Sequence, residues 1–152
     1  MNSDFSVAVH ALVYLSHRGC SQSSEELADN ICTNPARVRK IMAKLRRAGL
    51  VQTREGLEGG YKLALPADRV SLAQVSRALE VQFVSTTWKS GNPQKACLIA
   101  SGMGDLMDEL YARMDQQCQQ YLEGLSVSQV EHRIFDGRDV QGSPCGGRHI
   151  RP

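Results

Sequence analysis

The feature that most constrains this chain is an apolar helical stripe within a run of positive charge. Between Arg37 and Arg54 the sequence contains seven Lys or Arg residues and no Asp or Glu. Apolar residues at the spacing i, i+3, i+4 and i+7 predict an amphipathic helix with one buried face. That stripe consists of Val38, Ile41, Met42 and Leu45. The opposite face is cationic, and the segment offers no acid for the ion pairs of an ordinary solvated helix, which is the alternative interpretation.

Helix start and stop signals predict a helix-turn-helix around this segment. A capping box at Ser23 or Ser24 is expected to open a short helix. Asn34 then caps a second helix with Pro35 at its first position, where the missing N–H costs nothing. Gly49 is expected to end that helix. Two helices separated by so short a turn form the DNA-binding motif in which the second helix enters a groove.

A β-hairpin is predicted directly after the basic helix. One strand starts at Leu50, and the chain returns over residues 61–65 after a glycine-rich tip. Arg54 and Lys62 flank the tip, so the hairpin can lie along a phosphate backbone as the wing of the motif. The alternative is a hairpin that only closes the core, since charged loop residues are common.

A long helix is predicted from about Ile99 to Leu125, where an apolar residue recurs every three or four positions. Gly102 and Gly104 leave its beginning open, so that regular helix could start only near Asp105. At about 1.5 Å per residue even the shorter version spans roughly 30 Å, which exceeds what one winged domain covers. We therefore expect a homodimer, whose two basic helices enter successive major grooves of an inverted-repeat operator.

The predicted fold is mainly α with a small β-hairpin. Ser71 is expected to cap the last helix of the first domain, and Ser126 or Ser128 to cap a short terminal helix. The expected parts are a winged helix-turn-helix DNA-binding domain over 1–80, a connector or sensor region over 81–98, a dimerisation helix with a short terminal helix over 99–136, and a flexible tail over 137–152.

The 152 residues carry a net charge of +2, which hides an uneven distribution. Residues 1–80 hold 11 basic and 8 acidic residues, a balance of +3, whereas residues 81–152 hold 7 and 8, a balance of −1. Local positive potential of this kind suits a phosphate-binding surface. No stretch approaches the roughly 18 apolar residues of a transmembrane helix, and no signal peptide pattern is present, so we expect a cytoplasmic protein without membrane contact.

Catalysis, metal binding and a cofactor are not expected from the residue spacing. The five cysteines lie far apart and fit neither a disulfide framework nor a CxxC metal knuckle. The four histidines show no metal spacing, and no Ser, Cys and His combination suggests a nucleophilic triad. The glycines of the hairpin tip lead into a strand rather than a helix, unlike a nucleotide-binding loop.

Several segments together resemble the Rrf2 family of bacterial winged-helix transcription regulators. They are Glu26-Leu27-Ala28, the helix over 35–48, Gly49-Leu50-Val51, Gly56, Gly59-Gly60-Tyr61-Lys62-Leu63, and 71–80. The resemblance covers about residues 2–135 and implies a homodimer held by the long helix that usually represses transcription. Many members sense through an iron-sulfur cluster on three closely spaced cysteines, but this connector contains Cys97 alone, so the chain is more similar to the cluster-free, thiol-sensing branch.

Two cysteines are candidates for such sensing. Cys32 lies in the turn before the basic helix, where the helix dipole would favour a thiolate, although a small apolar filler is an equal alternative. Cys97 lies where relatives hold their sensory group and suits a resolving partner. If the long helix crosses to the other subunit, Cys97 of one chain could approach Cys32 of its mate. Cys118 is expected on the seam, and Cys145 lies in the tail with no neighbour to tune it.

We therefore predict a sequence-specific DNA-binding regulator, with the following contacts. Contacts in the DNA groove are assigned to Arg37, Arg39, Lys40 and Lys44, with Thr33 and Asn34 at the start of the helix. Contacts to phosphates are assigned to Arg47, Arg54 and Lys62. One alternative is a regulator of the same kind switched by a small metabolite or partner protein, with inert cysteines. Another is an interaction module whose basic helix binds an acidic protein.

Overall fold

The computed structural model describes residues 3–57 and 59–136, so the predicted tail lies outside the described residues. The fold is mainly α with one two-stranded antiparallel hairpin, as predicted. Its elements are α1 (Ser3–Arg18), α2 (Ser24–Ile31), α3 (Pro35–Arg47), β1 (Val51–Arg54), β2 (Gly60–Leu63), a 3-10 turn (Ala67–Arg69), α4 (Leu72–Ala78), α5 (Leu98–Glu123) and α6 (Val127–Phe135). None of the described helices is long and apolar enough to cross a membrane.

The predicted stripe of α3 lies in the centre of the core. Its four apolar residues, Val38, Ile41, Met42 and Leu45, are each at most 1% exposed. They pack with buried residues of α1, α2 and α4. Burial of each such side chain stabilises the fold by about 1.5–3 kcal/mol. The stripe therefore fixes which face of α3 points away from the protein.

The helix boundaries follow the capping signals in the sequence. Ser23 is the N-cap of α2 and forms a reciprocal capping box with Glu26. The Oδ1 atom of Asn34 accepts a hydrogen bond from the Ala36 amide at 2.7 Å and so caps α3. Gly49 follows the end of that helix with φ +76°, a conformation that glycine adopts without a steric penalty. Capping boxes also open α4 at Ser71 and α6 at Ser126.

The hairpin is attached to the loop between α1 and α2. Tyr61 and Gln22 exchange two backbone hydrogen bonds, of 3.0 and 2.8 Å. Gly60 lies at φ +146°, and a Cβ atom there would collide with the Gln22 carbonyl group. The second strand ends at Leu63, two residues before the predicted end, and Ala64 then donates a hydrogen bond to the Leu50 carbonyl at 3.0 Å.

The long helix α5 includes the turns that the sequence left open. It begins at Leu98, and both Gly102 and Gly104 lie inside it. Gly104 is buried because the connector packs on the helix there: an added Cβ atom would lie 3.0 Å from the Ser90 carbonyl oxygen. Glycine therefore allows a close approach instead of breaking the helix, and a later start near Asp105 is not observed.

Side-chain hydrogen bonds fasten α5 and α6 to the N-terminal helices. Ser76 of α4 donates to Gln119 at 2.6 Å, and Asp115 accepts from two connector amides at 2.7 and 3.1 Å. In α6, Glu131 accepts a hydrogen bond from Ser16 at 2.6 Å and contacts His17 at 3.2 Å. These contacts set the direction of α5 relative to the N-terminal helices.

Candidate nucleic-acid interface

The outer face of α3 carries unpaired positive charge. Lys40 and Arg47 are exposed, and Lys44 is half-buried on one flank. Within residues 3–57 and 59–136, none of these three side chains forms an ion pair. Their charges therefore remain available to an anionic partner such as duplex DNA.

Arg37, by contrast, is held by the first turn of α1. Its Nε and Nη2 atoms both donate to Oδ1 of Asp4, at 2.9 and 2.6 Å. The Nη2 atom also donates to the Ser3 hydroxyl at 2.7 Å. The expectation that no acid can pair with the basic helix is therefore wrong, because the acid comes from another helix 33 positions away.

Arg39 makes a looser version of the same contact with the first turn of α2. Its Nη1 atom donates to the Ser24 hydroxyl at 3.1 Å and to Glu25 at 3.3 Å. The pKa of Glu25 is lowered by a hydrogen bond from its own backbone amide, then by the Ser24 hydroxyl and by Arg39. Each flank of α3 thus carries one arginine held by a serine and an acid.

The turn before α3 is defined by backbone hydrogen bonds. The Thr33 amide donates to the Ala28 carbonyl at 3.0 Å, and Asn34 uses its Oδ1 atom as the helix cap. Cys32 ends α2 in the left-handed conformation, with φ 61° and ψ 50°. Its thiol is exposed, and its Sγ atom lies 3.7 Å from the Asp29 carbonyl oxygen.

Arg54 and Lys62 lie on one face of the hairpin. Gln52 pairs with Lys62 and Arg54 with Gly60, and directly paired or alternate residues share a face of an antiparallel ladder. Both basic side chains are exposed, whereas Val51 on the other face is buried. The hairpin therefore directs its positive charge away from the core.

Cys97 is the N-cap residue of α5, and its thiol is exposed. The amides of Ala100 and then Ile99 lower the pKa of the Cys97 thiol, although they make no cap hydrogen bond of normal geometry. Cys118 is half-buried on the same helix. A thiol with a lowered pKa contains more of the reactive thiolate at neutral pH.

A helix-turn-helix followed by a hairpin with an outward cationic face defines a winged helix-turn-helix protein. The Rrf2 family model, described as iron-dependent transcriptional regulator, matches residues 1–133, and the chain belongs to this family. It is 30% identical over 135 residues to YwnA of Bacillus subtilis, provisionally named an HTH-type transcriptional regulator, covering 89% of this chain and 99% of that protein.

Solved structures share the same architecture. A crystal structure from Lactobacillus plantarum, provisionally described as a transcriptional regulator, matches with a TM-score of 0.76 and 28% identity, covering 90% of this chain and 93% of that one. CymR of Bacillus subtilis, described as the global cysteine regulator, matches with a TM-score of 0.66 and 17% identity, covering 88% and 96%. At 17% identity, the similarity to CymR shows a shared fold alone. The chain is thus a DNA-binding transcription regulator of the Rrf2 type and not an enzyme.

The cysteines within the described part of one chain do not form an iron-sulfur cluster site. Such clusters are held by several cysteine thiolates close together. Cys97 and Cys118 are 21 positions apart on one helix, which is roughly 32 Å at about 1.5 Å per residue. Across the described ranges, no group of three or more His, Cys, Asp or Glu residues could hold a metal ion.

Sequence reasoning missed the acids that hold the two arginines. Asp4 and Glu25 each lie in the first turn of a helix, where an acid is explained by the helix dipole alone. No local pattern connects either acid to α3. Gln22 was missed for the same reason, since its pairing with Tyr61 depends on how the hairpin folds back.

Proposed function

We propose that this chain is a homodimeric repressor that binds a palindromic operator in the cytoplasm of a bacterium and is released when its thiols are oxidised. The observation that best supports DNA binding is the cationic outer face of α3 together with a hairpin that also directs positive charge outward. Lys40 is exposed and forms no ion pair within residues 3–57 and 59–136, while the neighbouring Ile41 is buried. A helix that packs on one face and presents positive charge on the other can enter a DNA groove.

The residues divide into those that read base edges and those that contact phosphates. We assign Lys40 and Lys44, with Arg37 and Arg39 on the flanks, to the major groove. Thr33 and Asn34, which precede the first turn of α3, are assigned to the point where the helix enters the groove. The phosphate contacts are assigned to Arg47, Arg54 and Lys62, which position the protein without reading sequence.

A pair of substitutions tests this division. We expect Lys40→Ala to reduce the preference for the operator over altered sites by about 1–3 kcal/mol. Arg54→Ala should weaken binding to every sequence alike. It should also reduce the slope of log binding constant against log salt concentration by about one unit. Binding constants on operator and random duplexes across a salt series measure both effects. Equal losses on the two duplexes for both variants would reverse the assignment.

Dimerisation is proposed through the exposed apolar side of α5. In the single chain, Ile99 is 71%, Leu106 51% and Tyr121 66% exposed, although all belong to the stripe predicted to be a seam. Contiguous exposed apolar surface of this kind indicates a protein interface. A second copy would cover it and bring two α3 helices to successive grooves of an inverted repeat.

The sensing step is proposed as a disulfide between Cys32 of one subunit and Cys97 of its partner. Both thiols are free and exposed, and the lowered pKa of Cys97 favours its thiolate. Hydrogen peroxide would oxidise the two thiols to one disulfide and be reduced to two water molecules. A bond between the DNA-binding domain and the α5 end of its mate would change the separation of the two α3 helices.

Non-reducing gel electrophoresis after peroxide treatment tests the disulfide. We expect a covalent dimer that is lost in Cys32→Ser and in Cys97→Ser but kept in Cys118→Ser. A monomer band at every peroxide concentration would rule out this bond.

A metabolite-switched regulator with inert cysteines is the second candidate. It is favoured by an open groove of about 740 Å³ between α1 and α6, with Phe5, Val9, Tyr14, Ile134 and Phe135 among its lining residues. Mostly apolar concave surfaces of this size accept small ligands. If the double variant Cys32→Ser, Cys97→Ser is still released from its operator in the cell, this candidate replaces the thiol switch.

A further inference from the structure

The contact between Arg37 and Asp4 leaves one edge of the guanidinium group available. Asp4 accepts hydrogen bonds from Nε and Nη2, which form the side edge of the group. The second hydrogen of Nη2 points to the Ser3 hydroxyl. The Nη1 atom has no hydrogen-bond partner among the described residues. Among the described residues, the end edge, formed by Nη1 and Nη2, thus contacts one neutral hydroxyl and no acid.

The position of Arg37 suits base recognition. It is the third residue of α3, and in helix-turn-helix proteins the first residues of the second helix contact base edges. An arginine that offers two parallel N–H groups matches the O6 and N7 acceptors of guanine in the major groove. Because the carboxylate of Asp4 holds the adjacent side edge, which shares Nη2 with the end edge, the guanidinium plane is oriented before DNA arrives.

We propose that Asp4 is a positioning residue for guanine recognition: it holds the side edge of Arg37 so that the end edge reads one guanine in each operator half-site. This rests on the DNA-binding function proposed above. The Ser3 hydroxyl occupies the place of a guanine acceptor in the free protein and gives way when DNA binds. Pre-orientation saves the entropy that a free arginine would lose on binding.

Two other roles for the same contact lead to different results. If Asp4 merely masked positive charge, its removal would strengthen binding to all DNA sequences, since phosphate attraction does not depend on sequence. If it only joined α1 to α3, its removal would lower thermal stability and leave the base preference unchanged. The base-by-base preference is therefore the decisive measurement, because neither of these roles alters it.

The experiment first selects DNA bound by the wild-type full-length protein from a random duplex pool. Affinities are then measured for the selected site, for every single-base variant of it and for random duplex. We expect Arg37→Ala to abolish the preference for one G·C pair in each half-site, a loss of about 5- to 100-fold. Asp4→Asn should reduce the preference at that same pair by about fivefold and leave random duplex nearly unchanged.

Two controls complete the design. Glu25→Gln removes the analogous but longer contact to Arg39 and should leave the preference at the Arg37 base pair intact. Adding Asp4→Asn to Arg37→Ala should change the profile no further, because Asp4 acts through Arg37. Thermal melts identify any variant that does not fold. If Asp4→Asn does not fold, the comparison of Arg37→Ala with wild type still tests the guanine contact.

A uniform gain in affinity for Asp4→Asn, or an unchanged profile with a lower melting temperature, would overturn the proposal while leaving DNA binding standing. A wild-type protein that selects no sequence at all would refute the DNA-reading function itself, and the inference with it. The two failures are thus distinguishable in one set of measurements.

Discussion

Helices α3 and α5 have the same kind of apolar periodicity but opposite surroundings. In α3 the stripe is at most 1% exposed, because α1, α2 and α4 of the same chain cover it. In α5 only Gly104 is buried, and Leu110 and Met114 are 43% and 44% exposed. The stripe of α3 is therefore covered by neighbouring helices of the same chain, whereas α5 presents an apolar surface that residues 3–57 and 59–136 do not cover. Periodicity shows which face is apolar but not what buries it.

The largest expected effect comes from placing a charge on the uncovered face. In the dimer proposed above, Leu110→Glu should weaken association by at least about 100-fold, because the change would remove two leucines from a symmetric interface and place two carboxylates there. Sedimentation equilibrium measures the change. Gln116→Glu adds the same charge to an exposed position outside the stripe and should leave the dimer unchanged. If both variants dimerise like wild type, the exposed face of α5 is not the interface.

The same leucine-to-alanine change in each helix tests whether the two apolar stripes differ in burial. Leu45→Ala should lower the free energy of unfolding by about 2–5 kcal/mol, since it leaves a cavity in the core. Leu110→Ala, measured at a protein concentration low enough to keep the chain monomeric, should cost much less because its site is already hydrated. Urea denaturation gives both values. Equal losses would mean that α5 is buried in the monomer and would contradict the comparison.

Gly60→Ala tests how the hairpin is attached to the loop between α1 and α2. The added Cβ atom would collide with the Gln22 carbonyl group, and the φ of +146° is unfavourable for alanine. We expect a loss of about 2 kcal/mol or more, from backbone strain at this site. Amide hydrogen exchange at Tyr61 and Gln22 should accelerate, and exchange in α5 should not. Unchanged protection at Tyr61 would show that the attachment tolerates a side chain.

The smallest effect concerns the thiol at the start of α5. Because the pKa of Cys97 is lowered, its alkylation by iodoacetamide should reach half its maximal rate at a lower pH in the folded protein than in urea. Ala100→Pro removes the amide that contributes most, at a first-turn position where proline is tolerated. That variant should shift the midpoint upward. Peptide mass spectrometry follows Cys97 separately, and identical midpoints in folded and unfolded protein would contradict the assignment.

Local signals in the sequence were sufficient for most of the fold. The spacing of Val38 and Leu45 predicted the buried side of α3, and Asn34 and Gly49 predicted its ends, because caps and periodicity depend on residues within one or two turns. The same logic failed at the start of α5. There Gly104 looked like a helix breaker, but a distant contact with the connector explains it.

The candidate site was predictable only in outline. The sequence identified the basic residues of α3 and the hairpin, yet it could not distinguish Arg37 from Lys40. Asp4 holds the first, whereas the second forms no ion pair within the described part of the chain. This distinction depends on the packing of α1 against α3, which brings together residues 33 positions apart.

The sequence by itself determined the class of protein, because helix periodicity, caps and a cluster of positive charge are written in neighbouring residues. Only the tertiary structure decided which arginines are held in place, where the hairpin is attached and which apolar stripe remains uncovered. Each of these depends on the packing of segments that are distant in the sequence. A single sequence does not show which of its distant residues contact each other.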